Sequence, residues 1–457
     1  MGIHRNRRGL DLPITGQPDP AVEQAGQPRH VALLAGDYVG LKPTMHVRLG
    51  DVVSRGQLVF ECKKTRGVCY TAPAEGKVVA VNRGAKRKFE SLVIELSQEE
   101  LAGGGGGQTS FVAYAGRDVQ GLTREQTRDL LVESGEWTAF RQRPYGSVAD
   151  PSTAPKSIFV TAVDSHPLAP NLAPLIAQQQ GEFDAGLQAM AQLTDGVIYV
   201  CAGVGDAVKV PSHERIQLEQ FAGPHPSGTA GWHIHTLDPV DRNKLVWHLG
   251  AQDVIAIGHL FRTGTLQVER VVSLAGPCVT RPRLLRTRRG VALDDLVAGE
   301  IIEARTRVIS GSVFGGCTAM GKVHGFLRRY DQQVSVIAEG AEREFLGWMA
   351  PGFNAFSVKG AFISKLMPGK RFAFTTATNG SDRAIVPIGS YEKVFPFDIP
   401  PSFLLRALAV HDTERAEQLG CLELSEEDLA LCTFVEPGKD EYGPKLRAVL
   451  DTIWKER

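Results

Sequence analysis

The sequence has no apolar run of the roughly 18–20 residues that a membrane-spanning helix needs. Any hold on a membrane is therefore expected to go through partner proteins or the surface. It has no Cys-x-x-Cys pair either. Its 7 cysteines, Cys62, Cys69, Cys201, Cys278, Cys317, Cys421 and Cys432, are odd in number and widely spaced. That argues against a disulfide framework, and against a zinc or iron–sulfur site made by this chain alone. Buried, reduced thiols are the ordinary reading. An excess of one charge is missing as well: Lys plus Arg and Asp plus Glu both number 51. No global field then draws the chain to nucleic acid or to anionic lipid, and partner choice rests on local patches. Residues 1–8 are basic, but Asp11 and Pro13 interrupt any signal-like apolar segment, so a place in the cytoplasm is expected.

What is present is a chain of 457 residues, 43% apolar and 22% charged, which is the profile of several globular domains. The pattern predicts a mixed α/β, multidomain fold. Short strands are expected at 30–34, 52–53, 58–61, 68–71, 77–82 and 91–96, with glycines and prolines between them. This run, assigned to a module over 1–102, resembles a barrel-sandwich hybrid of the biotinyl/lipoyl type. Five glycines in a row at 103–107 mark a boundary. Residues 111–260 alternate helix and strand. Helices are expected at 123–134 and 184–193, and buried-type strands at 157–163, 196–201 and 254–258, as in a Rossmann-like sheet. Residues 265–312 turn β-rich around a short helix at 293–296, as in a β-grasp, SLBB-like unit. A mixed region follows over 313–395, with a strand at 334–338 and an amphipathic stretch at 356–366. A helical domain closes the chain over 396–457, with helices at 402–410, 413–419, 426–431 and 445–455.

Several motifs have the composition of a site. A carrier arm needs a lysine at the tip of its hairpin, but Lys63 and Lys64 are offset from the tip near Thr65 and Arg66, and a solvated basic turn is the plainer reading. His233 and His235, two apart on an expected strand, share a face, with His225 nearby. They suit packing better than zinc, because no cysteine joins them. Gly203-Val204-Gly205 is a lone G-x-G and reads as a strand-end turn. Trp137 and Phe140, with Arg141 and Arg143, form the most suggestive group. Aromatic rings and guanidinium groups can stack on and hydrogen-bond a quinone head group, which is flat and carries two carbonyl acceptors. The rival reading keeps the two rings in the core and the two arginines at an interface.

Stretches spread over nearly the whole chain resemble the A subunits of bacterial Na+-translocating NADH:quinone oxidoreductases. They include Gly9-Leu10-Asp11-Leu12-Pro13-Ile14, Arg29-His30-Val31-Ala32-Leu33-Leu34, Gly223-Pro224-His225-Pro226 and Val386-Pro387-Ile388-Gly389. Their shared order is more telling than any one of them. That family is related to the flavin subunit of respiratory complex I and to the C subunit of Rnf-type complexes. The resemblance implies barrel-sandwich, Rossmann-like, β-grasp and helical modules in that order. It implies no cofactor on this chain. FMN, riboflavin, FAD and the iron–sulfur centres would be carried by partner subunits B to F, in a complex that passes electrons from NADH to ubiquinone and exports Na+. The chain would lie on the cytoplasmic side of the inner membrane, peripheral through its partners. In the complex I relatives a glycine-rich phosphate loop falls at about 133–144. Here Glu136, Trp137 and Phe140 occupy that stretch and would repel or block a phosphate. One departure from the family concerns a remnant cluster-ligand position, where the family usually has cysteine and this chain has Glu436. Cys421 and Cys432 alone do not make a four-iron site.

Overall fold

The structure, a computed structural model, describes residues 2–103, 107–302, 305–340 and 349–456. Residues 104–106 of the glycine run, and 341–348 within the mixed region, lie outside the described residues.

The first two strands, β1 (Ile3–Arg5) and β2 (Asp19–Gln24), leave the N-terminal module and complete two distant sheets. The stretch 1–102 expected as one barrel module thus lends its first two strands to other sheets. The barrel is built by β3 (His30–Leu34), β4 (Pro43–Met45), β5 (Val52–Val53), β6 (Leu58–Cys62), β7 (Cys69–Thr71), β8 (Gly76–Arg83) and β9 (Phe89–Leu96). Four of these form the sheet β3-β9-β8-β5, and three form β4-β6-β7.

The central module places a six-stranded sheet in the order β1-β13-β12-β11-β14-β10. Its strands are β10 (Arg141–Arg143), β11 (Ser157–Thr161), β12 (Val197–Gly203), β13 (Ile216–Ala222) and β14 (Val246–Gly250), with β1 at one edge. All neighbours run parallel except β10, which is antiparallel to β14. Residues 254–258 are not a strand. They lie inside the helix Ala251–Thr263, and the strand is the run just before it. A short, fully apolar run has no period that separates a buried strand from a buried helix. This helix is buried because it crosses the helix Gln180–Ala191 backbone to backbone: a Cβ on Gly258 would sit 1.7 Å from the Glu182 carbonyl oxygen, and one on Gly186 2.1 Å from that of Val254.

The third sheet runs β18-β17-β19-β15-β16-β2, from β15 (Glu269–Ala275), β16 (Arg283–Arg288), β17 (Thr306–Ser310), β18 (Cys317–Thr318) and β19 (Gln333–Ala338). The helix Leu293–Leu296 falls where the sequence put it. One apolar core runs from Phe60 and Tyr70 in the barrel through Leu130, Trp137 and Phe140 to Ile158, Val200 and Trp247 in the parallel sheet. The C-terminal helices, Pro401–Ala409, Thr413–Gln418, Ala430–Val435 and Tyr442–Lys455, enclose a second core around Leu404, Cys432, Leu446 and Leu450.

Candidate functional site

Residues 134–143 link every module of the chain. The helix Arg124–Ser134 opens with a capping box at Thr123 and Gln126, which satisfies its first free N–H groups, and it ends on left-handed Gly135. The Thr71 hydroxyl donates to the Ser134 carbonyl at 2.8 Å and ties the barrel to that helix end. A side chain on Gly135 would clash with Thr71, so glycine is needed there for both space and backbone angle. Glu136 takes both terminal nitrogens of Arg289, at 2.6 and 2.9 Å, from the third sheet's side. The Tyr330 hydroxyl donates to the Thr138 carbonyl at 2.8 Å.

The two aromatic residues expected on a ligand-facing surface are core. Trp137 is 1% exposed and Phe140 0%. Their ring centroids are 5.4 Å apart, and both pack on Trp247, at 5.3 and 5.6 Å. The Trp137 indole N–H donates to the Ala149 carbonyl at 2.8 Å. Neither ring leaves a face for a stacked head group, because β14 places Trp247 directly against them. Arg143 is buried too. It reaches Asp428 Oδ2 at 3.1 Å, the Glu423 carbonyl at 2.9 Å and Ser425 Oγ at 2.7 Å, all on the C-terminal domain. Burial raises the Asp428 carboxyl above its ordinary range, and Arg143 opposes that shift. Of the four, Arg141 is the half-buried one. Its guanidinium lies 4.4 Å from the Tyr330 ring centroid, with Arg329 5.5 Å from the same ring.

The crevice outside the carboxyl ends of β11 and β14 is where a doubly wound sheet reverses its strand order and ordinarily takes a nucleotide. Here the third module fills it. Asp253 stands in the first turn of the helix Ala251–Thr263, where a phosphate would meet free N–H groups. Its Oδ1 accepts from Arg270 at 2.6 Å and from Arg329 at 2.7 Å. Burial alone would raise its pKa, but Arg329, Arg270 and Arg289 hold it well below the carboxylate range. The neighbouring Gln252 side chain donates to the Val271 carbonyl at 2.8 Å and accepts from the Val271 N–H at 2.9 Å, pinning β15 over the opening. A phosphate entering this crevice would meet a carboxylate.

The histidines sit on a helix, not a strand. Ala230–Leu237 is helical, so His233 and His235 point in different directions. His233 is fully buried with Nε2 3.0 Å from the Ser227 carbonyl, and burial draws its pKa down to about 3. His235 pairs with Glu423 at 2.7 Å. Sequence reasoning missed His166, which lies between Asp164 at 2.7 Å and Glu427 at 3.2 Å and packs on His225 with ring centroids 4.6 Å apart. Asp164-Ser165-His166 at the end of an expected strand was the available signal, but Glu427 is far away in sequence. Among the described residues no group of three or more His, Cys, Asp or Glu is placed to hold a metal ion. Glu436 is buried and accepts from Tyr391, from Tyr442 and from the Gly438 N–H. Lys64 lies over the Trp454 ring at 5.0 Å, so the turn that a carrier arm would need packs on the last helix.

These features define a multidomain scaffold whose nucleotide crevice is closed by its own side chains. Three family models match in succession: an NqrA N-terminal barrel-sandwich hybrid domain over residues 5–97, an NqrA second alpha/beta domain over 122–266, and an NQRA C-terminal domain over 271–321. The chain is 53% identical over 450 residues to the A subunit of the Na(+)-translocating NADH-quinone reductase of Hahella chejuensis, covering 98% of this chain and 99% of that one. It is 54% identical over 452 residues to the corresponding A subunit of Cellvibrio japonicus, with the same coverage. A solved NAD+-reducing NiFe hydrogenase in the air-oxidized state overlaps at a TM-score of 0.36 and 13% identity, over 72% of this chain and 63% of that one, which is too slight to carry an argument. The chain belongs to the family of A subunits of the Na(+)-translocating NADH-quinone reductases.

Proposed function

We propose that the chain works as the peripheral A subunit of a respiratory complex that couples NADH oxidation and ubiquinone reduction to Na+ export. Identity across nearly its full length to subunits of that name carries the reading. In this reading it docks on subunits B to F at the cytoplasmic side of the inner membrane. Its hold on the membrane goes through those partners in this reading; among its described residues no helix is long and apolar enough to cross a membrane.

The redox groups belong to those partners, and this chain carries none. Two observations support that. Asp253 puts a carboxylate in the first turn of the helix that follows β14, where it would repel a phosphate. Cys421 and Cys432 are buried in an apolar core, and burial pushes the Cys421 thiol up to about 12 and the Cys432 thiol higher still, which disfavours the thiolate that a cluster needs.

Trp137, Phe140, Arg141 and Arg143 are proposed to affect quinone reduction by positioning. They hold the junction rigid while the quinone is handled at or beyond it, and Arg141 is the member with an accessible edge. The experiment compares Arg141→Ala with wild type in the assembled complex. Ubiquinone reduction should fall while NADH oxidation by an artificial acceptor persists. Unchanged quinone kinetics in an assembled Arg141→Ala complex would remove this stretch from the quinone path.

A further inference from the structure

A cavity of about 40 Å³ lies where the barrel, the α/β module and the third module meet. That is room for about three water-sized positions. Tyr38, Tyr70, Thr71, Leu266, Arg289 and Arg329 line it. Tyr38 and Tyr70 are buried, while Thr71, Arg289 and Arg329 are part-exposed as residues.

Five arginine side-chain nitrogens of the described chain are buried without a hydrogen-bond partner, and two of them, Arg289 Nε and Arg329 Nη2, belong to residues lining this cavity. The Arg329 side chain is only 6% exposed, and the Glu136 oxygen nearest its Nη2 is 4.0 Å away, beyond hydrogen-bond reach. Buried donors are nearly always satisfied by protein, water or a ligand. The local charge points the same way. Of the charged residues that line the cavity, two are guanidiniums, Arg289 and Arg329, and one is a carboxylate, Asp37, which is one positive charge over.

We propose that this cavity binds a small monovalent oxyanion of the carboxylate class, held by the free N–H groups of Arg289 and Arg329 between the two tyrosines. A single negative charge balances the surplus. Two oxygens match two donors, as charge-assisted pairing of carboxylate and guanidinium requires. The tyrosine and leucine walls exclude a larger or more highly charged ion. The occupant bridges the three modules, so its binding stiffens their junction. The site depends on the cavity alone and stands or falls separately from the role of the complex.

The test uses the full chain, titrated calorimetrically with acetate at fixed ionic strength, alongside inorganic phosphate and chloride. Crystals grown with and without acetate provide the position. The expected result is saturable acetate binding, density for acetate in the cavity, and weakening by about tenfold or more in Arg329→Gln. If Arg329→Gln does not fold, Leu266→Phe fills the cavity and leaves both arginines in place, and it should abolish binding. No saturable acetate binding, density only outside the cavity, phosphate or chloride bound in preference, or undiminished binding in Leu266→Phe would each overturn the proposal.

Discussion

Arg143 and Asp428, 285 residues apart in sequence, form a buried ion pair with Nη1 3.1 Å from Oδ2 and both side chains at most 1% exposed. The pair fastens the edge strand of the central sheet to the C-terminal helices. Removing one partner strands the other charge in a dry interior, a loss of about 3–5 kcal/mol. Arg143→Met should therefore lower the denaturant midpoint of the full chain strongly. The double variant Arg143→Met with Asp428→Leu should recover a large part of that loss. A double variant as weak as the sum of the two singles would mean that the pair is not what holds this interface.

Trp137 is expected to behave as a core residue. Trp137→Ala removes a buried indole packed on Phe140 and Trp247 and should cost about 3–5 kcal/mol. Arg141→Gln removes a half-buried stack on Tyr330 and should cost about 1 kcal/mol or less. Equilibrium unfolding of both variants checks the order. Equal costs would contradict the burial that separates these two residues.

Gly258 offers a test in which two effects oppose. Alanine gains about 1 kcal/mol in helix propensity over glycine. At this position its Cβ would meet the Glu182 carbonyl at 1.7 Å, and forcing a packed helix pair apart costs about 1–3 kcal/mol or more. With backbone as the obstacle, the clash wins, so Gly258→Ala should destabilise. Gain of stability would show that the two helices are not in backbone contact.

His166 gives a pH signature. Burial opposes its charge, but Asp164 and Glu427 outweigh burial and raise its pKa well above 6.5. A histidine raised on folding contributes stability that is full below its unfolded value of about 6.5 and is lost as pH climbs through the folded value. Glu427, lowered from 4.5 to about 2 chiefly by His166 against the effect of burial, reports the same contact from the acid side. Its contribution is present above about 4.5 and disappears as pH falls toward 2. His225 beside it is held below its ordinary value by burial and by His166, and so penalises the fold as pH drops below 6.5. The difference in stability between wild type and His166→Gln isolates the first effect. It should be largest between about pH 5 and 6.5 and shrink above neutrality. A difference that grows with pH would mean that His166 is neutral in the fold.

Much of the architecture was legible because its causes are local. Alternation and turn residues located β3 and β5 to the residue, and the helical spacing over 123–134 matched the helix Arg124–Ser134. The failures have a common origin in contacts distant along the chain. Residues 254–258 became helix because Gly186 and Gly258 let two helices touch, and nothing within the run itself reveals that. His233 and His235 were read at strand spacing because eight residues are too few to display a helical period. Strands β1 and β2 are short and find their partners more than 200 residues away, beside Gln220 and Leu284. The quinone-facing reading of Trp137 and Phe140 came from composition alone. Whether a ring is wall or core depends on Trp247, which the sequence does not place beside it.

The most direct test of the account is affinity purification of the tagged chain from membranes, in cells with and without subunits B to F. With the partners present, the chain should bring down a Na+-stimulated NADH:ubiquinone reductase with flavin on the other subunits, and the chain dissociated from that complex should be colourless. Without them, little of it should stay on washed membranes. A chain recovered alone, carrying stoichiometric flavin and oxidising NADH by itself, would contradict the account.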